Sequence, residues 1–94
     1  METRQRVIIS GRVQGVSYRY WTRQEATARG LRGYVRNLSD GRVEAVFGGD
    51  EADIIAMVDA CWQGPDAARV SGIEQAAFEG GFPDTFEIRP SARA

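Results

Sequence analysis

Apolar and polar positions alternate along residues 6–13. Val7, Ile9 and Val13 share one side of an extended chain and Ile8 lies on the other, which predicts a strand. The period changes at Ser17. From there to Arg29 the chain holds no proline or glycine, and Tyr18, Trp21, Thr22 and Ala26 fall on one helical face before Gly30 supplies a stop. Arg29 stands where a further apolar residue would close that face, so its stem is expected along the core with its head in water. Residues 31–38 and 42–47 flank Ser39-Asp40-Gly41, a short turn signal, and predict an antiparallel hairpin. Asp50 is the expected N-cap of a second helix with Asp53 in its first turn. Ile54, Ile55, Val58, Cys61 and Trp62 form its apolar face, and Gly64-Pro65 ends it. Residues 70–78 predict a fourth strand, 80–84 a loop and 85–89 a short fifth strand with Phe86 and Ile88 pointing inward.

This order, βαββαβ plus a short terminal strand, implies an α+β fold of the ferredoxin-like kind: an antiparallel sheet with two helices on one face. Ninety-four residues suit one domain, 1–94, with one modest core, to which Trp21, Cys61 and Trp62 are assigned. The N-terminus METRQRVIIS has no long apolar stretch, and no window approaches the roughly 18 apolar residues of a membrane span. A cytoplasmic protein without a membrane partner is expected.

Composition narrows the chemistry. The sequence has no histidine and no lysine, so all twelve basic side chains are arginine. That removes histidine triads, Schiff-base chemistry and the phosphate-loop lysine together. The lone thiol, Cys61, cannot form an internal disulfide or a Cys/His metal site, so no metal and no cofactor are expected. Arginine offers a planar fork of donors to phosphate or carboxylate and is a poor base. Residues 1–47 carry nine arginines against four acids, whereas residues 48–94 carry three against nine. In one small fold these halves interleave, which suits the steering of a small anion and not a nucleic-acid stripe. An RNA-binding module of the same element order needs aromatics on its central strands, where this chain has Val7, Ile9 and the run 43–47, VEAVF.

The stretch GRVQGVSYRY, residues 11–20, marks the passage from the first strand to the first helix. Gly15 lies at the turn, and the amides from Val16 to Arg19 lead into a helix N-terminus, a geometry that can wrap N–H donors around a tetrahedral anion. On spacing alone, a glycine there serves the turn itself as readily as a ligand, and Asn37 can simply end a strand.

Gly11-Arg12-Val13-Gln14-Gly15-Val16-Ser17-Tyr18-Arg19 resembles the signature of the acylphosphatase family. Gly33-Tyr34-Val35-Arg36-Asn37, followed by Ser39-Asp40-Gly41-Arg42-Val43-Glu44, is similar to its second motif, and the eighteen-residue step from Arg19 to Asn37 suits the family. The likeness runs over nearly the whole chain, to the closing Phe86-Glu87-Ile88. It implies hydrolysis of acyl phosphates to a carboxylate and inorganic phosphate by in-line attack of water. A monomer is expected. Gln14, Gly15, Val16, Ser17, Tyr18 and Arg19 are then the phosphate loop, with Arg19 as its clamp and Asn37 as the residue that positions water. Tyr18 stands where phenylalanine is common in the family, and its hydroxyl needs a partner if buried. Ser17 replaces what is often a bulkier residue or glycine. The runner-up is a non-catalytic acyl-phosphate or anion-binding regulatory domain of the same fold. Such chemistry suits a chain without histidine, because the departing carboxylate is a weak base that needs no general acid.

Overall fold

Strand β1 (Glu2–Arg12) opens the chain in the computed structural model, which describes residues 2–94. It is followed by α1 (Tyr18–Ala28), β2 (Arg32–Asn37), β3 (Val43–Asp50), α2 (Glu51–Gln63), β4 (Arg69–Ala77) and β5 (Phe86–Ile88). The five strands form one sheet in the order β4-β1-β3-β2-β5. Contacts β1–β3, β1–β4 and β2–β3 are antiparallel, but β5 joins β2 in parallel, Gly33 opposite Phe86 and Val35 opposite Ile88. The sheet is therefore mixed where the sequence pattern implied an antiparallel one. The reason lies in the chain between β4 and β5, which crosses the face away from the helices before entering the edge. Phe78 packs edge-on against Tyr34, and Phe82 covers Gly48.

Both helices lie on the other face. Val7, Ile9 and Val13 meet Val35, Val43, Ala45 and Phe47 of the sheet and Tyr18, Ala26, Ile54, Met57, Val58 and Cys61 of the helices in one core. Asp50 caps α2 through its Oδ1, which accepts from the Ala52 amide at 3.0 Å. The apolar seam of α2 differs from the expected one. Ile54, Met57, Val58 and Cys61 are buried, while Ile55 is 58% exposed and Trp62 48% exposed. Residues 54, 58 and 61 share helical spacing with either neighbouring stripe, and packing against the sheet selects Met57 over Ile55 and Trp62. Trp21 packs against the core partly buried. Arg29 is half-buried: one terminal nitrogen pairs with Glu25 at 3.6 Å, while its Nε is buried without an acceptor among the described residues.

Strand β1 begins four residues earlier than its hydrophobic pattern indicated. Glu2 to Gln5 have no apolar alternation and are extended because they pair with β3 from Phe47 to Asp50. Strand β3 is buried on both faces from Val43 to Gly48. Its one charged core residue, Glu44, is 3% exposed and is paired on the face away from the helices by Arg6 Nε at 2.6 Å and Arg36 Nε at 2.5 Å. Two guanidinium groups thus offset the desolvation of one carboxylate. At the far end of β1 the ladder to β4 shifts between Ser10 and Gly11. Gly11 has φ +121°, and a Cβ there would stand 2.1 Å from the Arg69 carbonyl oxygen, so the bulge requires glycine. It directs the strand end toward the turn into α1. Among the described residues no helix is long and apolar enough to cross a membrane.

Candidate active site

The passage from β1 to α1 is built from two left-handed residues around a buried anchor. Gly15 has φ +73°, and Ser17, with φ 66° and ψ 25°, is the one non-glycine residue of positive φ among the described residues. Holding a serine there costs about 1–2 kcal/mol. Val16 between them turns its side chain into the core. Ser17 occupies the N-cap position of α1 without using its hydroxyl to cap, and the first turn contains no acidic residue. As a result, none of the backbone N–H groups of residues 15–20 has an acceptor among the described residues. Consecutive unpaired amides at a helix N-terminus attract an anion through direct donors and through the helix dipole.

Beside this loop lies a concavity of about 470 Å³, lined by Val13, Gln14, Gly15, Ser17, Tyr18, Arg19, Tyr20, Asn37 and Ile88. Arg19 and Asn37, eighteen residues apart in sequence, therefore share one wall system. Arg19 is half-buried and makes no ion pair among the described residues, so its fork of donors is uncommitted. Asn37 ends β2. Its backbone is held by pairing with Val43 and by the Ala92 amide, which donates to its carbonyl at 3.0 Å. Its side-chain Oδ1 is buried and has no hydrogen-bond partner among the described residues. An orphan acceptor of that kind costs free energy unless something fills it.

Three of the expected loop residues, Gln14, Val16 and Tyr18, commit their side chains elsewhere. Val16 offers its amide alone, since its side chain belongs to the core. Gln14 lines the cavity, but its Nε2 donates to the carbonyls of Leu38 and Arg42, both at 2.9 Å. Its amide head therefore ties the loop to the β2–β3 hairpin. That hairpin closes on itself through Leu38 N to Arg42 O at 2.8 Å, and Asp40 accepts from the Arg42 amide and side chain. These bonds from Arg42 hold the Asp40 carboxyl below its ordinary range, the backbone donor contributing most.

The Tyr18 hydroxyl finds its partner in α2, donating to the Cys61 carbonyl at 2.5 Å. Burial, then the electrostatic effect of Cys61, raises its pKa beyond the ordinary tyrosine value, so it stays a neutral donor. Burial also pushes the Cys61 thiol up to about 12. Three residues of the cavity, Val13, Tyr20 and Ile88, were not singled out from sequence for this site. Val13 and Ile88 read as strand residues. Tyr20 lay within the quoted stretch, and its position next to Arg19 was the available signal. The lining contains no carboxylate, thiol or imidazole, and among the described residues no group of three or more potential metal ligands is gathered. Backbone amide donors, one guanidinium and one side-chain amide can bind a tetrahedral anion and hold a water beside it.

Comparison with known proteins gives a consistent result. A family model described as Acylphosphatase matches residues 5–88. An acylphosphatase of Haloarcula marismortui is 51% identical over 87 residues, covering 93% of this chain and 96% of the relative. Among solved structures, an acylphosphatase from Coxiella burnetii superposes with a TM-score of 0.89 at 36% identity, over 94% of this chain and 93% of the other. One from Bacillus subtilis gives 0.84 at 37% identity, over 95% and 99%.

Proposed function

The chain belongs to the acylphosphatase family and is an acyl-phosphate hydrolase, and from that premise we propose how its site performs the reaction. The phosphoryl group of the substrate sits in the loop of residues 14–19, its oxygens taking the unpaired amides and the fork of Arg19. The side-chain amide of Asn37 holds a water opposite the scissile bond by hydrogen bonding. That water attacks phosphorus as the bond from phosphorus to the acyl oxygen breaks, and the acyl group departs as a carboxylate. The proton of the water passes to a phosphate oxygen, so no side chain has to act as a base, and Asn37 could not be one. A loose phosphoryl-transfer transition state asks for charge stabilisation on its equatorial oxygens and for a positioned nucleophile, which these groups supply without reorganising. The inferred partners are small acyl phosphates and the product phosphate.

The observation that carries this reading is that Asn37, whose side chain makes no hydrogen bond among the described residues, lines the same cavity as Arg19 and the loop with its unpaired amides. The test follows phosphate release from an acyl phosphate with a phosphate monoester as control. In Asn37→Ala, kcat is expected to fall about 10²–10³-fold while competitive inhibition by inorganic phosphate changes little. Loss of phosphate affinity equal to the loss of rate would place Asn37 in the cradle instead.

A further inference from the structure

The amides and Arg19 account for the polar side of the cavity and leave its other wall without a role. Tyr20 and Ile88 line the same concavity as Gly15, Arg19 and Asn37, yet both present mainly hydrocarbon, which phosphate oxygens do not seek. Tyr20 is 62% exposed, more than any other large apolar side chain of the described residues. It is nevertheless restrained, because the guanidinium carbon of Arg23 sits 4.7 Å from its ring centroid. It is the third residue of α1, directly after Arg19, and both residues line the concavity. Ile88 of β5 is half-buried and supplies apolar surface to the same space. A single exposed tyrosine needs no explanation, but one held by a cation–π contact and sharing a concavity with an aliphatic residue forms a surface suited to a flat apolar group.

We propose that Tyr20 and Ile88 form the acyl subsite, and that the preferred substrates are acyl phosphates whose acyl group is planar and apolar, aryl in particular, packing on the Tyr20 ring. This deepens the hydrolase reading above and rests on it. Contact with the acyl group is remote from the phosphorus, and it contributes to rate by holding the scissile bond in line with the water at Asn37.

The experiment measures kcat/KM for benzoyl phosphate and acetyl phosphate in the wild type, Tyr20→Ala and Tyr20→Phe, with the inhibition constant of inorganic phosphate for each. In Tyr20→Ala the benzoyl-to-acetyl ratio is expected to fall about five- to tenfold, the size of one aromatic contact, with the phosphate constant unchanged. Tyr20→Phe keeps the ring and should keep the ratio. A ratio that stays within twofold in Tyr20→Ala overturns the subsite. So does a loss of phosphate affinity as large as the change in ratio, which would assign Tyr20 to the cradle. Wild-type protein that releases phosphate from neither substrate overturns the hydrolase reading and the subsite with it, whereas normal turnover with an unmoved ratio overturns the subsite alone.

Discussion

Gln14 is fastened to Leu38: its Nε2 donates to the Leu38 carbonyl at 2.9 Å, and the same nitrogen reaches the Arg42 carbonyl at 2.9 Å. Leu38 follows Asn37, so the bond fixes the spacing between the loop and the residue given the water. Removing both bonds in Gln14→Ala is expected to cost about 1–3 kcal/mol of stability and to lower kcat through a displaced Asn37. Gln14→Glu has the same shape but presents only acceptors to two carbonyls, and should be at least as damaging at pH 7. Denaturant titrations of the two variants check this, and a fully stable Gln14→Glu would show that the hairpin does not depend on the bond.

Arg19 has no acidic partner competing for it among the described residues. Arg19→Ala should therefore leave the fold intact and lower kcat/KM about 10³-fold or more, with weakened inhibition by phosphate. Arg69, whose guanidinium donates among the described residues only to the Asp66 and Ala68 carbonyls, is the control. Equal activity in Arg19→Ala and Arg69→Ala would remove Arg19 from the mechanism.

Inorganic phosphate should raise the unfolding temperature by occupying the loop of residues 14–19. At one hundred times its dissociation constant the added stability is about 2.7 kcal/mol, and competition with substrate should give the same constant. Arg19→Ala should abolish most of the thermal shift. Persistence of the full shift in that variant would locate the anion elsewhere.

Activity should survive exhaustive chelation. The cavity lining offers no carboxylate, thiol or imidazole to a divalent ion, and the amides and Arg19 already provide positive charge. Turnover lost with EDTA and restored by magnesium or zinc is the contrary outcome.

Cys61 makes stability depend on pH in a defined direction. Its thiol, ordinarily near 9.0, is pushed up to about 12 in the folded chain, chiefly by burial. The folded state keeps its proton while the unfolded state loses it, so this contribution is complete below pH 9 and is lost between pH 9 and 12. One proton gives a slope of at most about 1.4 kcal/mol per pH unit. Urea midpoints compared between pH 8 and pH 10 should therefore fall more steeply in the wild type than in Cys61→Ala. Parallel slopes would show that Cys61 is not the group responsible.

The parts of this architecture that rest on local chemistry were legible from residue order. Asp50 caps α2 as expected, Ser39-Asp40-Gly41 turns the hairpin, and Tyr18, Thr22 and Ala26 face the core. What depends on distant partners was not. Glu2 to Gln5 are strand because β3 is there to pair with them, and β5 runs parallel to β2 because of the path taken by residues 78–85. Met57 rather than Ile55 or Trp62 faces the sheet, a choice between adjacent stripes that periodicity leaves open. The loop and Arg19 were visible as a glycine-rich turn into a helix. Asn37 had no signal of its own beyond the family resemblance, since an asparagine at a strand end is common and its place in one cavity with the loop emerges only from the fold.

The place of β1 in the sheet carries a cost in time. First in the chain, it lies between β3 and β4, and its second neighbour ends at Ala77. A ribosome adding about 5–20 residues per second takes on the order of several seconds to pass from the end of β1 to the end of β4. Throughout that interval a strand carrying Val7, Ile8 and Ile9 has at least one open hydrogen-bonding edge, and any two nascent copies on neighbouring ribosomes can pair through it. The arginines at positions 4 and 6, beside that apolar triplet, are charges on the same strand during the wait, and they oppose pairing between identical strands before they have any partner in the finished fold.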